Sequence, residues 1–223
     1  MTTLRSMHLV FWVVVLLGSA NTASADPIVF ASRAAFDAAF PSAAVENWDS
    51  FSAGHTFPNG STTAGITYIS NAGMAVVLGQ KLPTTFPNSL GRTEDFSSDF
   101  RGIGDAITFQ FDSPLIAFGI DINTFLTLNG GFTATTGTGE VAASVFDPFP
   151  IAGSTGQFTG QFLGLSTTVP FQTVTISAST SLPFDLDTLR AVSAVSATPE
   201  PASLCLLGTG IVSTLVARRR HKR

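Results

Sequence analysis

Residues Asp105–Asn123 read DAITFQFDSPLIAFGIDIN. Two runs of period two lie inside this stretch. In Asp105–Phe111, Ile107, Phe109 and Phe111 point one way, and Thr108 and Gln110 point the other. In Ile116–Asn123, Ile116, Phe118, Ile120 and Ile122 share a face, while Asp121 and Asn123 share the opposite one. Such alternation marks strands with a buried face. Ser113-Pro114 separates the runs, because proline cannot donate to a ladder.

Working outward, the same pattern recurs between short Gly and Pro breaks. Ile66–Ser70 and Ala75–Gly79 predict a hairpin across Asn71-Ala72-Gly73. Phe132–Thr136 and Glu140–Phe146 predict another across Gly137-Thr138-Gly139. Gln157–Leu165, Gln172–Ser179 and Phe184–Val192 complete the set. Helix formers gather only in Ser32–Phe40, where Ser32 can cap and Ala35, Phe36, Ala39 and Phe40 fall at helical spacing. The expected fold is all-β, an antiparallel two-sheet β-sandwich of jelly-roll type with one short N-terminal helix.

The two ends of the chain differ from this body. Residues 1–25 hold Arg5, the apolar core Leu9–Leu17 and the small-x-small site Ala23-Ser24-Ala25. That order predicts a cleaved secretory signal peptide, since nine apolar residues are too few to span a bilayer, which takes about 20. Residues 199–223 begin Pro199-Glu200-Pro201, continue through the uncharged apolar run Ala202–Ala217, and end on Arg218, Arg219, Arg220, Lys222 and Arg223. The run is short for a transmembrane helix but within reach of one, since flanking side chains can snorkel, and the basic cluster would hold its end in the cytoplasm. The β-sandwich domain is then residues 26–198.

That body carries five basic and fourteen acidic residues, a net charge of −9 against −4 for the whole chain. So acidic a domain is a poor partner for nucleic acid, which a basic face must neutralise. The only cysteine, Cys205, lies in the apolar tail, so the body has no disulfide and no thiol chemistry. His55 is the body's only histidine, and it reads as a surface residue of a loop. Zinc sites built on Cys and His are thereby excluded.

The Pro-Glu-Pro triplet, apolar run and Arg cluster, in that order, resemble a PEP-CTERM sorting signal. The resemblance implies recognition of Pro199, Glu200, Pro201 and the basic residues Arg218, Arg219 and Arg220 by an exosortase. This membrane-embedded enzyme would process the chain at or near the triplet. It further implies a Gram-negative bacterium that makes exopolysaccharide, transient residence in its inner membrane through the C-terminal helix, and delivery to the cell envelope, surface or extracellular matrix. Segments such as PNSLGR (Pro87–Arg92) and FDLDTLRAV (Phe184–Val192) resemble domains often found before such tails.

No nucleophile elbow, P-loop or dinucleotide fingerprint occurs in the body. No cofactor is required, but an acidic, cysteine-free exported domain suits calcium, which takes six to eight oxygen ligands. The ligand set expected for it is Glu46 and Asp49 from an early strand with Asp185 and Asp187 from the last, provided first and last strands pair. Trp48 reads more readily as core than as a sugar platform. The expectation is a non-enzymatic surface protein that contacts exopolysaccharide. The alternative is a carbohydrate-active enzyme, a glycoside hydrolase or lyase working through surface carboxylates.

Overall fold

The computed structural model describes residues 26–79, 85, 87–92, 103–124, 131–147, 159–179 and 184–194. The residues expected to form a signal peptide, the Pro-Glu-Pro triplet, the apolar run and the Arg cluster lie outside these residues. Among the described residues, no helix is long and apolar enough to cross a membrane.

Among the described residues there are thirteen strands and one helix. The strands are β1 (Ile28–Val29), β2 (Ala44–Glu46), β3 (Thr56–Phe57), β4 (Ser61–Thr63), β5 (Ile66–Ser70), β6 (Ala75–Gly79) and β7 (Asn88–Arg92). They continue with β8 (Ala106–Thr124), β9 (Phe132–Thr136), β10 (Val141–Ala143), β11 (Val145–Phe146), β12 (Thr159–Ala178) and β13 (Phe184–Ser193). Helix α1 spans Arg33–Ala39, and the Ser32 hydroxyl accepts the Ala35 amide as its cap.

All strands belong to one antiparallel network, and β8 and β12 organise it. The two runs read from the sequence as separate strands are one 19-residue strand, β8. The runs 157–165 and 172–179 likewise belong, from 159 to 178, to the single strand β12. Each long strand bends near a proline, Pro114 in one and Pro170 in the other. There the β8–β12 ladder slips register, between Ser166 and Phe171 and again before Thr173. Bulges of this kind bend and twist a strand without ending it.

The bend divides the network into two layers. In layer I, the first part of β8 lies between β5 and the second part of β12, with β4, β9 and β10 outside them. In layer II, the second part of β8 lies between β13 and the first part of β12, and β2, β3, β6 and β7 extend it past β13. Rings meet across the interior. Phe132 of layer I contacts Phe184 of layer II at 4.7 Å, and Tyr68 of layer I stacks on Phe57 of layer II at 4.2 Å. Trp48 is fully buried and donates its indole N–H to the Tyr68 hydroxyl, so it is core.

The first predicted hairpin is not formed. β5 pairs with β4 and β8, whereas β6 pairs with β3 and β7, so the Asn71-Ala72-Gly73 turn carries the chain from one layer to the other. Asn71 anchors the turn to β8 instead, its side chain accepting the Ala106 amide and donating to the Gly104 carbonyl. The second predicted hairpin forms as β9–β10, but its return strand breaks at Ser144, and β11 leaves to pair with β12.

A second, smaller cluster lies on the outer face of layer II. Phe36 of α1 packs there on Ala117 and Phe162, with Phe30 and Phe40 beside it. Two glycines make the room. A Cβ on Gly119 would come within 2.9 Å of the Phe162 ring, and one on Gly164 within 2.3 Å. The ring lies over both strands because neither carries a side chain at those positions.

Candidate functional site

Two groups of polar side chains stand out, and they lie on opposite sides of layer II. The first sits on its outer face, beside α1. β13 runs antiparallel to β8 with Asp185 opposite Asn123 and Asp187 opposite Asp121, so all four side chains share a face. All four are fully buried. Asp121 accepts from two guanidinium groups, Arg33 at 3.1 Å and Arg190 at 3.2 Å. Arg190 also reaches Asp37 of α1 at 2.8 Å and lies 5.8 Å above the Phe162 ring. Thr188, in left-handed backbone at φ 44°, forms the bulge that returns Arg190 to this face. The charges are buried but paired, the condition under which buried charge is tolerated.

The four residues expected to hold calcium are not gathered. β2 does pair with β13, the first-to-last pairing the expectation needed, but Glu46 falls opposite Leu189 on the core-facing side. Its carboxylate accepts the Trp48 amide. Asp49 is taken up by the Asn47 side chain and the Asn88 amide. Asp187 accepts from the amide and hydroxyl of both Thr85 and Thr188. Only Asp185 and Asp187 stand together. Among the described residues, no group of three or more His, Cys, Asp or Glu side chains is disposed to hold a metal ion.

Asp185 is the unusual member of the pair. Burial pushes its carboxyl well above the ordinary carboxylate range. Hydrogen bonds from Ser89 and Asn123 oppose that shift, and the Asp187 charge adds to it. A raised folded-state value favours folding in full below the unfolded value of about 3.9, and the contribution is lost as pH rises through the folded value. Asp185→Asn keeps the shape and removes the charge. Its melting temperature should therefore gain on the parent's progressively from about pH 4 upward. A difference that stays flat with pH would mean that Asp185 ionises like an exposed carboxyl.

The second group lines an open cleft of ≈ 320 Å³ at the bend, between the two layers. β5 and β13 both pair with the same edge of β8, but leave Asp112, Ser113 and Pro114 between them. The gap is the cleft. Its floor is Ile66, Phe111, Leu115 and Leu189, and Glu46, Asp112, Ser113 and Ser193 bring polar atoms to its walls. The tight β4–β5 turn forms one wall. Its two central residues, Ala64 and Gly65, have φ of 51° and 79°, the geometry of a two-residue hairpin loop. Ala64 holds a left-handed conformation that costs a non-glycine residue about 1 kcal/mol.

Sequence reasoning singled out Glu46 for a different purpose and missed Asp112 and the arginine-paired Asp121. Asp121 had a visible signal, a carboxylate in the apolar run IAFGIDIN. Asp112 had none, because the cleft exists only where two strands leave a shared edge.

Fold and site together define an antiparallel two-layer β-sandwich with an open cleft at one end. Beyond it, residues 197–220 match the PEP-CTERM protein-sorting motif. The chain is thus marked for export, exosortase sorting and the cell envelope. No curated protein matches the sequence. Among solved structures, the catalytic domain of a GH87 alpha-1,3-glucanase in complex with nigerose is similar at 14% identity and a TM-score of 0.38. The match covers 66% of this chain and 30% of that one, so the present chain spans under a third of its length. CsCBM6-3 from Clostridium stercorarium in complex with cellobiose is similar at 11% identity and a TM-score of 0.30, over 68% of this chain and 94% of that one.

Proposed function

We propose that the protein is a non-enzymatic component of the surface or extracellular matrix of a Gram-negative bacterium, and that it holds an exopolysaccharide in the cleft at the bend. The observation that supports this is the convergence of Glu46, Asp112, Ser113 and Ser193 around an apolar floor. Sugar rings present C–H faces to apolar surface and hydroxyl groups to acceptors, and carboxylates are the strongest acceptors in this set. The cleft lies at the lower end of ligand-site volumes, about 300–1,000 Å³. Its openness suits a polymer that enters and leaves along the bend.

Binding is favoured over hydrolysis by the placement of the carboxyls. Glycoside hydrolysis needs two across one cleft, with one kept protonated. Among the described residues, the carboxyl with the strongly raised value is Asp185, which is buried on the outer face of layer II, whereas the cleft opens on the core side of that layer.

The test is a pull-down of the purified protein on a panel of bacterial polysaccharides, with calcium and with EDTA. Retention on one class of polymer is expected, and Asp112→Ala should weaken it about tenfold, or ~1.4 kcal/mol. Asp112 is exposed, so the variant should fold normally. Release of reducing ends from the retained polymer would establish the enzyme reading instead. Equal retention of parent and variant would remove the cleft from the binding site.

A further inference from the structure

The ladder brings the beginning and the end of the folded domain to one place. Ile28 of β1 lies opposite Ser166, Ser166 opposite Ala117, and Ala117 opposite Val192 of β13. Three strand spacings separate Ile28 from Val192, about 14 Å. β13 runs toward the bend, and its last bond is from the Ala194 amide to the Pro114 carbonyl at 2.8 Å. The sorting motif begins three residues later, at residue 197. The six peptide steps from Ala194 to Glu200 reach at most about 22 Å when fully extended. An enzyme that cuts a peptide bond near Glu200 must hold the residues on either side extended in its own site. The folded domain leaves it no room to do so at a distance.

We infer that the bend end of the sandwich is a docking surface for the membrane-embedded processing enzyme, which rests on the exosortase reading of the motif. The surface has the character of a contact. Val169 and Ile28, 40% and 63% exposed, stand at or beside the bend, with Pro114 and Pro170 exposed at its apex. Among the described residues, the ionisable groups that line the cleft there are acidic, Asp112 and Glu46. Arg33, Arg92 and Arg190 are held in ion pairs with aspartates. An apolar patch with an acidic rim fits a protein face of apolar and basic character. It is a poor fit to anionic lipid headgroups, which attract basic segments.

The experiment follows processing of the full chain in cells that carry the enzyme, read as the shift in mass on loss of the C-terminal segment. Val169→Lys and, separately, Ser113→Lys should slow processing about tenfold, because each sets a like charge against the docking face. Val141→Lys, on the exposed strand β10 in layer I, is the control and should not. A Gly/Ser insertion of about twelve residues after Ala194 adds an r.m.s. reach of roughly 20 Å and should restore the rate of both slow variants. Processing of Val169→Lys and Ser113→Lys at the parental rate would overturn the inference, as would slowing that persists with the insertion. Faster processing of the lysine variants would point to a lipid contact and overturn it as well. If the unmodified chain is not processed at all, the sorting reading fails first and takes this inference with it.

Discussion

Asp121→Ala is expected to destabilise the folded domain by about 3–5 kcal/mol, the usual cost of removing one partner from a buried ion pair. Asp121 is fully buried and is the carboxylate on which Arg33 and Arg190 converge. Its loss leaves Arg190, with a side chain only 7% exposed, with Asp37 and the Thr188 carbonyl as its remaining acceptors. For a domain of this size the melting temperature should fall by roughly 6–20 °C. The triple variant Asp121→Leu, Arg33→Met, Arg190→Met should recover most of the loss, because apolar side chains of similar volume avoid the desolvation of all three charges. A single variant within about 1 kcal/mol of the parent would mean that water replaces Asp121 without cost, and that the outer face of layer II is not sealed by α1.

Phe109→Ala should cost a similar amount, about 3–5 kcal/mol, for a different reason. Phe109 lies on β8 in layer I and touches Trp48, Tyr68 and Phe118, so it joins both layers just before the bend. Removing the ring leaves a cavity that stiff neighbours cannot fill. Denaturant unfolding should show a lower midpoint with an unchanged slope, the signature of lost stability without a change in the unfolding unit. A changed slope would mean that the two layers unfold separately.

The difference between the two variants reflects what can be read from the chain. Phe109 was legible as core, because Ile107, Phe109 and Phe111 alternate with polar residues and only one side of a strand can meet the interior. Asp121 was legible only as a polar residue on the opposite face. Whether that face met water, a metal or another element depended on α1, which lies over it through Phe36 and Asp37 from more than eighty residues away in sequence. The same limit applies to the calcium expectation. Asp185 and Asp187 do share a face, as residues two apart on a strand must. The side of the sheet on which Glu46 stands was decided by the β2–β13 register, and a shift of one residue would have reversed it.

The Asn71-Ala72-Gly73 turn makes the point for topology. Its composition suits a tight turn, and the flanking runs suit strands, so a hairpin was the natural reading. The turn instead passes between layers: β5 pairs with β8 over five residues, as many as a hairpin with the five-residue β6 would give, and Asn71 fastens the turn there. Ladder hydrogen bonds are alike for any pair of strands. The choice of partner therefore rests on side-chain packing, which joins residues far apart in sequence.

By itself the sequence determined the β-class of the body, the capped helix near its start, the direction in which most core side chains point and the sorting motif at its end. Each of these is written in adjacent residues, as a period, a cap or a contiguous signal. Tertiary structure alone decided that β8 and β12 bend rather than end, that Asp121 is sealed between two arginines, and that a cleft opens beside the point where the chain leaves for its sorting motif. These depend on which distant segments meet, and that is settled by the packing free energy of the whole domain rather than by any local run of residues.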